Sequence, residues 1–130
     1  MRRILIVCLV LLSCNKSASL KNYSVAIYKY RISNYKFGKS PGTLEQDSVL
    51  FTIRAKNDTS AYIKGFKIWY KDFQKQMSIS LKDSSTMRSR FIIKDRSGND
   101  LEKKLSHKIL DSIRTPFLKS LFKNIKLKHQ

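Results

Sequence analysis

Val49 to Lys94 reads VLFTIRAKNDTSAYIKGFKIWYKDFQKQMSISLKDSSTMRSRFIIK, and the period assigned to this stretch decides the fold. It opens as a half-buried strand. Val49, Phe51, Ile53 and Ala55 point one way and Ser48, Thr52 and Arg54 the other, the alternation that a pleated backbone imposes. Asn57-Asp58-Thr59-Ser60 has turn chemistry, because these side chains bond readily to nearby backbone. Tyr62, Phe66, Ile68 and Tyr70 offer the next face, with Gly65 as a bulge and Trp69 on the reverse. Met77, Ile79 and Leu81 alternate with Ser78 and Ser80, and Met87, Phe91 and Ile93 with Arg88, Arg90 and Lys94. Read with period two throughout, residues 49–94 form an antiparallel meander, since such short connections favour adjacent strands.

Upstream, Tyr23, Val25 and Ile27 begin another strand, but the apolar positions then shift to Tyr28, Tyr30 and Ile32, and again to Tyr35 and Phe37. A change of phase moves the buried face, which predicts a bulge or bend. Gly38 to Gly42 breaks the pattern as a loop, and Thr43 to Ser48 continues it with Glu45 and Asp47.

Downstream the period becomes helical. Leu101, Leu105, Ile109 and Ile113 recur every four residues, with Leu110 widening the stripe, Asn99 as N-cap, and Asp100 and Glu102 in the first turn. Thr115-Pro116 predicts a restart, after which Phe117, Leu118, Leu121, Phe122 and Ile125 form a second stripe flanked by Lys119, Lys123, Lys126 and Lys128. The strands mostly carry one apolar face each, so one side of the sheet needs cover and two amphipathic helices supply it. The expectation is an α+β domain, an antiparallel sheet of five or six strands with C-terminal helices on one face. The alternative is a small immunoglobulin-like β-sandwich with a helical tail.

The N-terminus carries a different kind of signal. Arg2 and Arg3 precede an apolar run from Ile4 to Leu12, then Ser13 and Cys14, a charged region, a short apolar region and a small residue in the order of an export signal. The run is too short to span a bilayer core. Leu11-Leu12-Ser13-Cys14 resembles the lipobox of bacterial lipoproteins. The resemblance implies that residues 1–13 are a signal peptide, that Cys14 is lipidated on its sulfur, and that the mature protein is anchored in the cell envelope. Asn15 after the cysteine implies, by the same resemblance, the outer membrane. Residues 14–22 are polar and without a period, a tether, and residues 23–130 are a single globular domain.

Removing residues 1–13 takes Cys8 away and lipidation consumes Cys14, so thiol catalysis and disulfide stapling drop out together. The net charge falls from +18 to +16. Such an excess attracts phosphate, acidic glycans or anionic headgroups; export disfavours nucleic acid as the partner. The spread of lysines along the chain also fits a solvated surface.

Catalytic chemistry is thinly supplied. His107 with Asp111, at i and i+4, is the one helical pair with shared-proton spacing, more simply an exposed contact. Asp95 to Asp100 lacks the alternating acids and closing glutamate of a calcium loop and reads as a turn into a helix cap. No catalytic residue, metal ligand or cofactor is assigned. The tyrosines, several of them beside lysine or arginine, are taken as strand packing rather than stacking platforms. Two cationic features remain. Arg88, Arg90 and Lys94 form an outward row as candidate contacts for an anionic ligand, and Lys119, Lys123, Lys126 and Lys128 flank a candidate membrane-surface helix. The expected function is therefore non-catalytic: a lipid-anchored envelope protein that binds a protein or acidic glycan, or supports an envelope assembly. Alternatives are a small envelope hydrolase, which needs a pocket joining His107 to Asp95 or Asp111, and an envelope immunity or inhibitor protein.

Overall fold

The structure, a computed structural model, describes residues 19–34, 39, 42–83 and 85–127. In chain order it contains β1 (Lys21–Ser33), β2 (Thr43–Ala55), α1 (Asp58–Asp83), β3 (Thr86–Lys94), α2 (Leu101–Lys104) and α3 (His107–Leu127). The strands form one antiparallel sheet in the order β2-β1-β3. The class is α+β, but the sheet has three strands rather than five or six, and the sandwich alternative falls with them.

The difference lies in residues 58–83, a single helix where period two gave two strands. Tyr62, Phe66 and Tyr70, four residues apart, satisfy both periods. The residues between them decide. Ala61 and Gly65 are buried, Trp69, Phe73 and Met77 are half-buried, and Ile68, Ile79 and Leu81, which the strand reading placed inside, are exposed. The expected turn at Asn57 is the helix start. Asn57 Oδ1 accepts the Ser60 amide at 2.8 Å and Ser60 Oγ accepts the Asn57 amide at 3.2 Å, a reciprocal cap that satisfies two amides the first helical turn leaves open.

β1 is also simpler than expected. It pairs without interruption from Lys21 to Ser33, so no bulge separates its two apolar phases. They are the two faces of one strand: Tyr23, Val25 and Ile27 point into the core, and Tyr28, Tyr30 and Ile32 outward. Beyond Ile27 the inner face becomes polar, with Lys29 bonded to Asp72 at 3.3 Å and Arg31 to Ser85 Oγ at 3.1 Å. Across the β1–β2 ladder, Lys29 stands opposite Asp47 and Arg31 opposite Glu45, pairings of opposite charge that favour this register.

The C-terminal helices divide differently as well. Asp100, not Asn99, caps α2, accepting the Glu102 amide at 2.9 Å. The break falls at Leu105-Ser106, and α3 runs through Pro116 instead of restarting there. Pro116 costs the helix one amide toward the preceding turn.

α1 covers the inner sheet face, α2 lies against β3, and α3 packs onto α1. Phe66 is the hub, with ring centroids 5.2 Å from Phe117, 5.3 Å from Trp69 and 5.8 Å from Phe91. Around it Tyr23, Val25, Tyr62, Ile93, Leu101 and Leu110 are sealed from solvent. Burying such large side chains at about 1.5–3 kcal/mol each supplies the main drive for folding.

Candidate functional site

With both long helices on one side, the other face of the sheet is left open. It presents the even-numbered residues of all three strands in register. Successive rungs read Thr52–Ser24–Lys94, Leu50–Ala26–Ile92, Ser48–Tyr28–Arg90, Gln46–Tyr30–Arg88 and Leu44–Ile32–Thr86 across β2, β1 and β3. Arg54 stands beside Asn22 at the end of β2. Arg88, Arg90 and Lys94 are all exposed and share the alternation of β3, so the expected cationic row forms a column down one edge of this face.

Where the acids go matters as much. Within the three strands no Asp or Glu stands at an outward position, and Asp100, in the turn after β3, makes a backbone bridge to Lys94 at the end of the face. Glu45 and Asp47 occupy the opposite face, and the others belong to the helices or to the turn after β3. No carboxylate among the described residues pairs with Arg54, Arg88, Arg90 or Lys94. Those four charges face solvent together, and like charges held so create a local positive potential beyond the background of a basic protein. Ala26, the smallest outward side chain of β1, lies between Leu50 and Ile92 and leaves a shallow depression of about 420 Å³, bordered by Tyr28 and Lys94. Arg90 also borders a second hollow on the other side of β3, shared with Trp69, Arg114 and Leu118.

Three of these contributors escaped the sequence reading. Arg54 had been placed on the outward side of its strand but not joined to the row on β3. The sequence assigns Tyr28 and Tyr30 to packing, whereas they face outward and, among the described residues, Tyr23, Tyr62 and Tyr70 are buried. Parity along β1 would have separated the two groups had the shift at Tyr28 not been taken for a bulge.

The remaining charged clusters hold the fold. Lys104 Nζ sits 2.7 Å from Asp58 Oδ2 and 3.1 Å from Asp95 Oδ2, and Tyr23 donates its hydroxyl to Asp58 at 2.9 Å. Hydrogen bonds from Asn99, backbone and side chain, hold Asp95 at about 2, well below its ordinary 3.8, with the Ser97 amide and Lys104 adding to them. Lys104 lowers Asp58 in the same way. The segment from Asp95 to Asp100 is thus a turn locked by its own aspartate, with Gly98 at φ 84°. Arg114 lies 2.7 Å from Glu102 and donates to the Tyr62 hydroxyl, whose own ionisation is pushed up by burial.

His107 and Asp111 are both exposed on α3, and Asp95 is engaged in its turn. Among the described residues no cluster of three or more His, Cys, Asp or Glu could hold a metal ion, and no helix is long and apolar enough to cross a membrane. On α3, Lys119 and Lys123 are exposed beside Leu118 and Phe122, themselves 45% and 63% exposed. Phe117 and Leu121 pack against the core instead. The side chain of Lys126, together with Lys128 and Cys14, lies outside the described residues.

The chain matches no protein-family model, no curated protein and no solved structure.

Proposed function

We propose that this is a non-catalytic, lipid-anchored protein of the bacterial cell envelope, tethered through Cys14, whose open sheet face binds a polyanionic partner. The observation that carries the binding half is the segregation of charge: four cations and no acid at the outward positions of the three strands, with the Asp100 backbone bridging Lys94 at one end. The lipobox at Leu11 to Cys14 supports the address, and a strand that begins at Lys21, so soon after Cys14, keeps the domain close to the bilayer. A hydrolase would ask for His107 to meet Asp95 or Asp111 in a pocket, and the exposed positions of His107 and Asp111 do not favour it.

Binding to immobilised heparin tests the face. Wild type should be retained at low salt and released as ionic strength rises, because exposed charges are screened beyond about 8–10 Å at 0.1–0.15 M salt. The triple reversal Arg88→Glu, Arg90→Glu, Lys94→Glu should elute early. Retention unchanged by that reversal would remove the face from consideration. Fractionation of Cys14→Ala tests the anchor: the variant should leave the membrane fraction that holds the wild type.

A further inference from the structure

We infer that the polyanion is an acidic polysaccharide, laid along β1 and β3 with its sugar rings on Tyr28 and Tyr30 and its carboxylates or sulfates on Arg88, Arg90 and Lys94. This rests on the envelope reading above.

The register supplies the geometry. Tyr28 stands directly opposite Arg90 and Tyr30 directly opposite Arg88, and facing side chains on antiparallel strands have Cβ atoms about 4.5–5.5 Å apart. Each arginine thus springs from the position beside a tyrosine on the same face, within reach of its ring. A pyranose has a face of C–H bonds, weakly positive and apolar, that suits the negative face of an aromatic ring. An acid group projecting from that sugar reaches the neighbouring guanidinium, which takes carboxylate or sulfate with two parallel hydrogen bonds. From Arg88 to Lys94 the column is about 20 Å long at 3.3–3.4 Å per residue, room for several sugar units.

The other outward side chains suit the same ligand. Ser24, Gln46, Ser48 and Thr52 offer hydroxyl and amide groups to sugar hydroxyls, and no described group bonds to the Tyr28 or Tyr30 hydroxyl. The Leu50–Ala26–Ile92 rung gives a narrow apolar floor for a methyl or acetyl substituent. A lipid surface would call for a broad apolar centre rimmed by cations. Here the aliphatic side chains fall on two separated rungs, Leu50–Ala26–Ile92 and Leu44–Ile32, with polar and tyrosine rungs between them, and three of the four cations form a column to one side.

The test is the affinity of the purified full chain, in neutral detergent, for heparin, polygalacturonate, neutral dextran, single-stranded DNA and phosphatidylglycerol vesicles. Wild type should bind heparin or polygalacturonate more tightly than DNA or vesicles and should leave dextran unbound. Tyr28→Ala with Tyr30→Ala should weaken the favoured polysaccharide about tenfold, the equivalent of about 1.4 kcal/mol, while Tyr28→Phe with Tyr30→Phe keeps most of the affinity. If the alanine pair unfolds by circular dichroism, the single exposed change Tyr30→Ser carries the same test. Should the tyrosine variants bind as wild type while Arg88→Ala with Arg90→Ala does not, the sugar platform is wrong and the polyanion reading survives. Tighter binding of DNA or vesicles than of either polysaccharide overturns the inference. Failure of every polyanion to bind overturns both readings.

Discussion

The ammonium of Lys104 lies 2.7 Å from the carboxylate of Asp58, tying the end of α2 to the first turn of α1. Asp95 shares the same ammonium at 3.1 Å. Both aspartates ionise below their ordinary 3.8, Asp95 at about 2. A carboxylate held low in the folded state contributes stability that is fully present above its unfolded value and lost as pH falls through the folded one. Urea midpoints should therefore hold steady down to about pH 4 and drop between there and about pH 2. Lys104→Met should lower the midpoint at neutral pH and flatten the part of the acid decline that Asp58 contributes. An acid limb identical to wild type would show that the triad adds nothing. Lys104 itself is raised above 10.5 by the two aspartates, so its share is present at neutral pH and fades only as alkali passes that raised value.

Gly65 is where α1 comes closest to the sheet. A Cβ there would lie 3.2 Å from Ile93 Cδ1, itself sealed in the core. Two effects oppose each other for Gly65→Ala: about 1 kcal/mol gained in helix propensity and about 1–3 kcal/mol lost if the core must shift. Alanine asks Ile93 to yield only a few tenths of an ångström. The net change should stay within about 1 kcal/mol. Gly65→Leu has no such latitude and should destabilise by about 2 kcal/mol or more. Equilibrium denaturation of the two variants separates close packing from a bulge, which would treat both alike.

The same glycine shows what the sequence could and could not tell. In a strand reading it marked a bulge; in the structure it is the contact point of a helix. Tyr62, Phe66 and Tyr70 recur every four residues, a spacing that period two also contains, so side-chain identity alone left the assignment open. What would have separated the readings was Trp69, Phe73 and Met77 joining the same stripe, and Asn57 with Ser60 acting as a reciprocal cap. The C-terminal helices were legible because Leu101, Ile109, Leu110 and Ile113 repeat with no competing alternation. The break at Ser106 was not, since the apolar stripe runs straight across it. For the site, Arg88, Arg90 and Lys94 were visible from alternation in β3. Tyr28 and Tyr30 were hidden because the inner face of β1 turns polar at Lys29, where Asp72 supplies its partner.

The Tyr62 hydroxyl accepts from Arg114 Nε at 3.0 Å, and the guanidinium also lies 5.7 Å above the Tyr62 ring. Tyr62→Phe keeps the ring and its packing against Phe91 but removes the acceptor. The expected loss is about 1.5 kcal/mol, the low end for a hydrogen bond to a charged group, because the guanidinium is still paired elsewhere. Arg114 retains Glu102 at 2.7 Å. Adding Glu102→Gln to Tyr62→Phe should therefore cost more than the two single losses together. Chemical denaturation of the four-member cycle measures it, and strict additivity would show that the two contacts to Arg114 do not substitute for one another.

Leu118 and Phe122 sit one helical turn apart on α3, exposed and flanked by Lys119 and Lys123. Their neighbours Phe117 and Leu121 already close the core, so these two do little for the fold. Leu118→Ser with Phe122→Ser should shift stability by no more than about 0.5 kcal/mol, as surface changes do. If this edge of α3 rests on the bilayer beside the lipid anchor, the same pair should weaken binding of a Cys14→Ala chain to anionic vesicles. Lys119→Gln with Lys123→Gln should weaken it further at low salt. Unchanged vesicle binding in both variants would leave the lysines as the wet side of a core helix. Arg90 borders a hollow with Leu118 of α3, so the control for this vesicle binding is Arg54→Gln on β2, the strand at the other edge of the sheet, which should leave it unchanged.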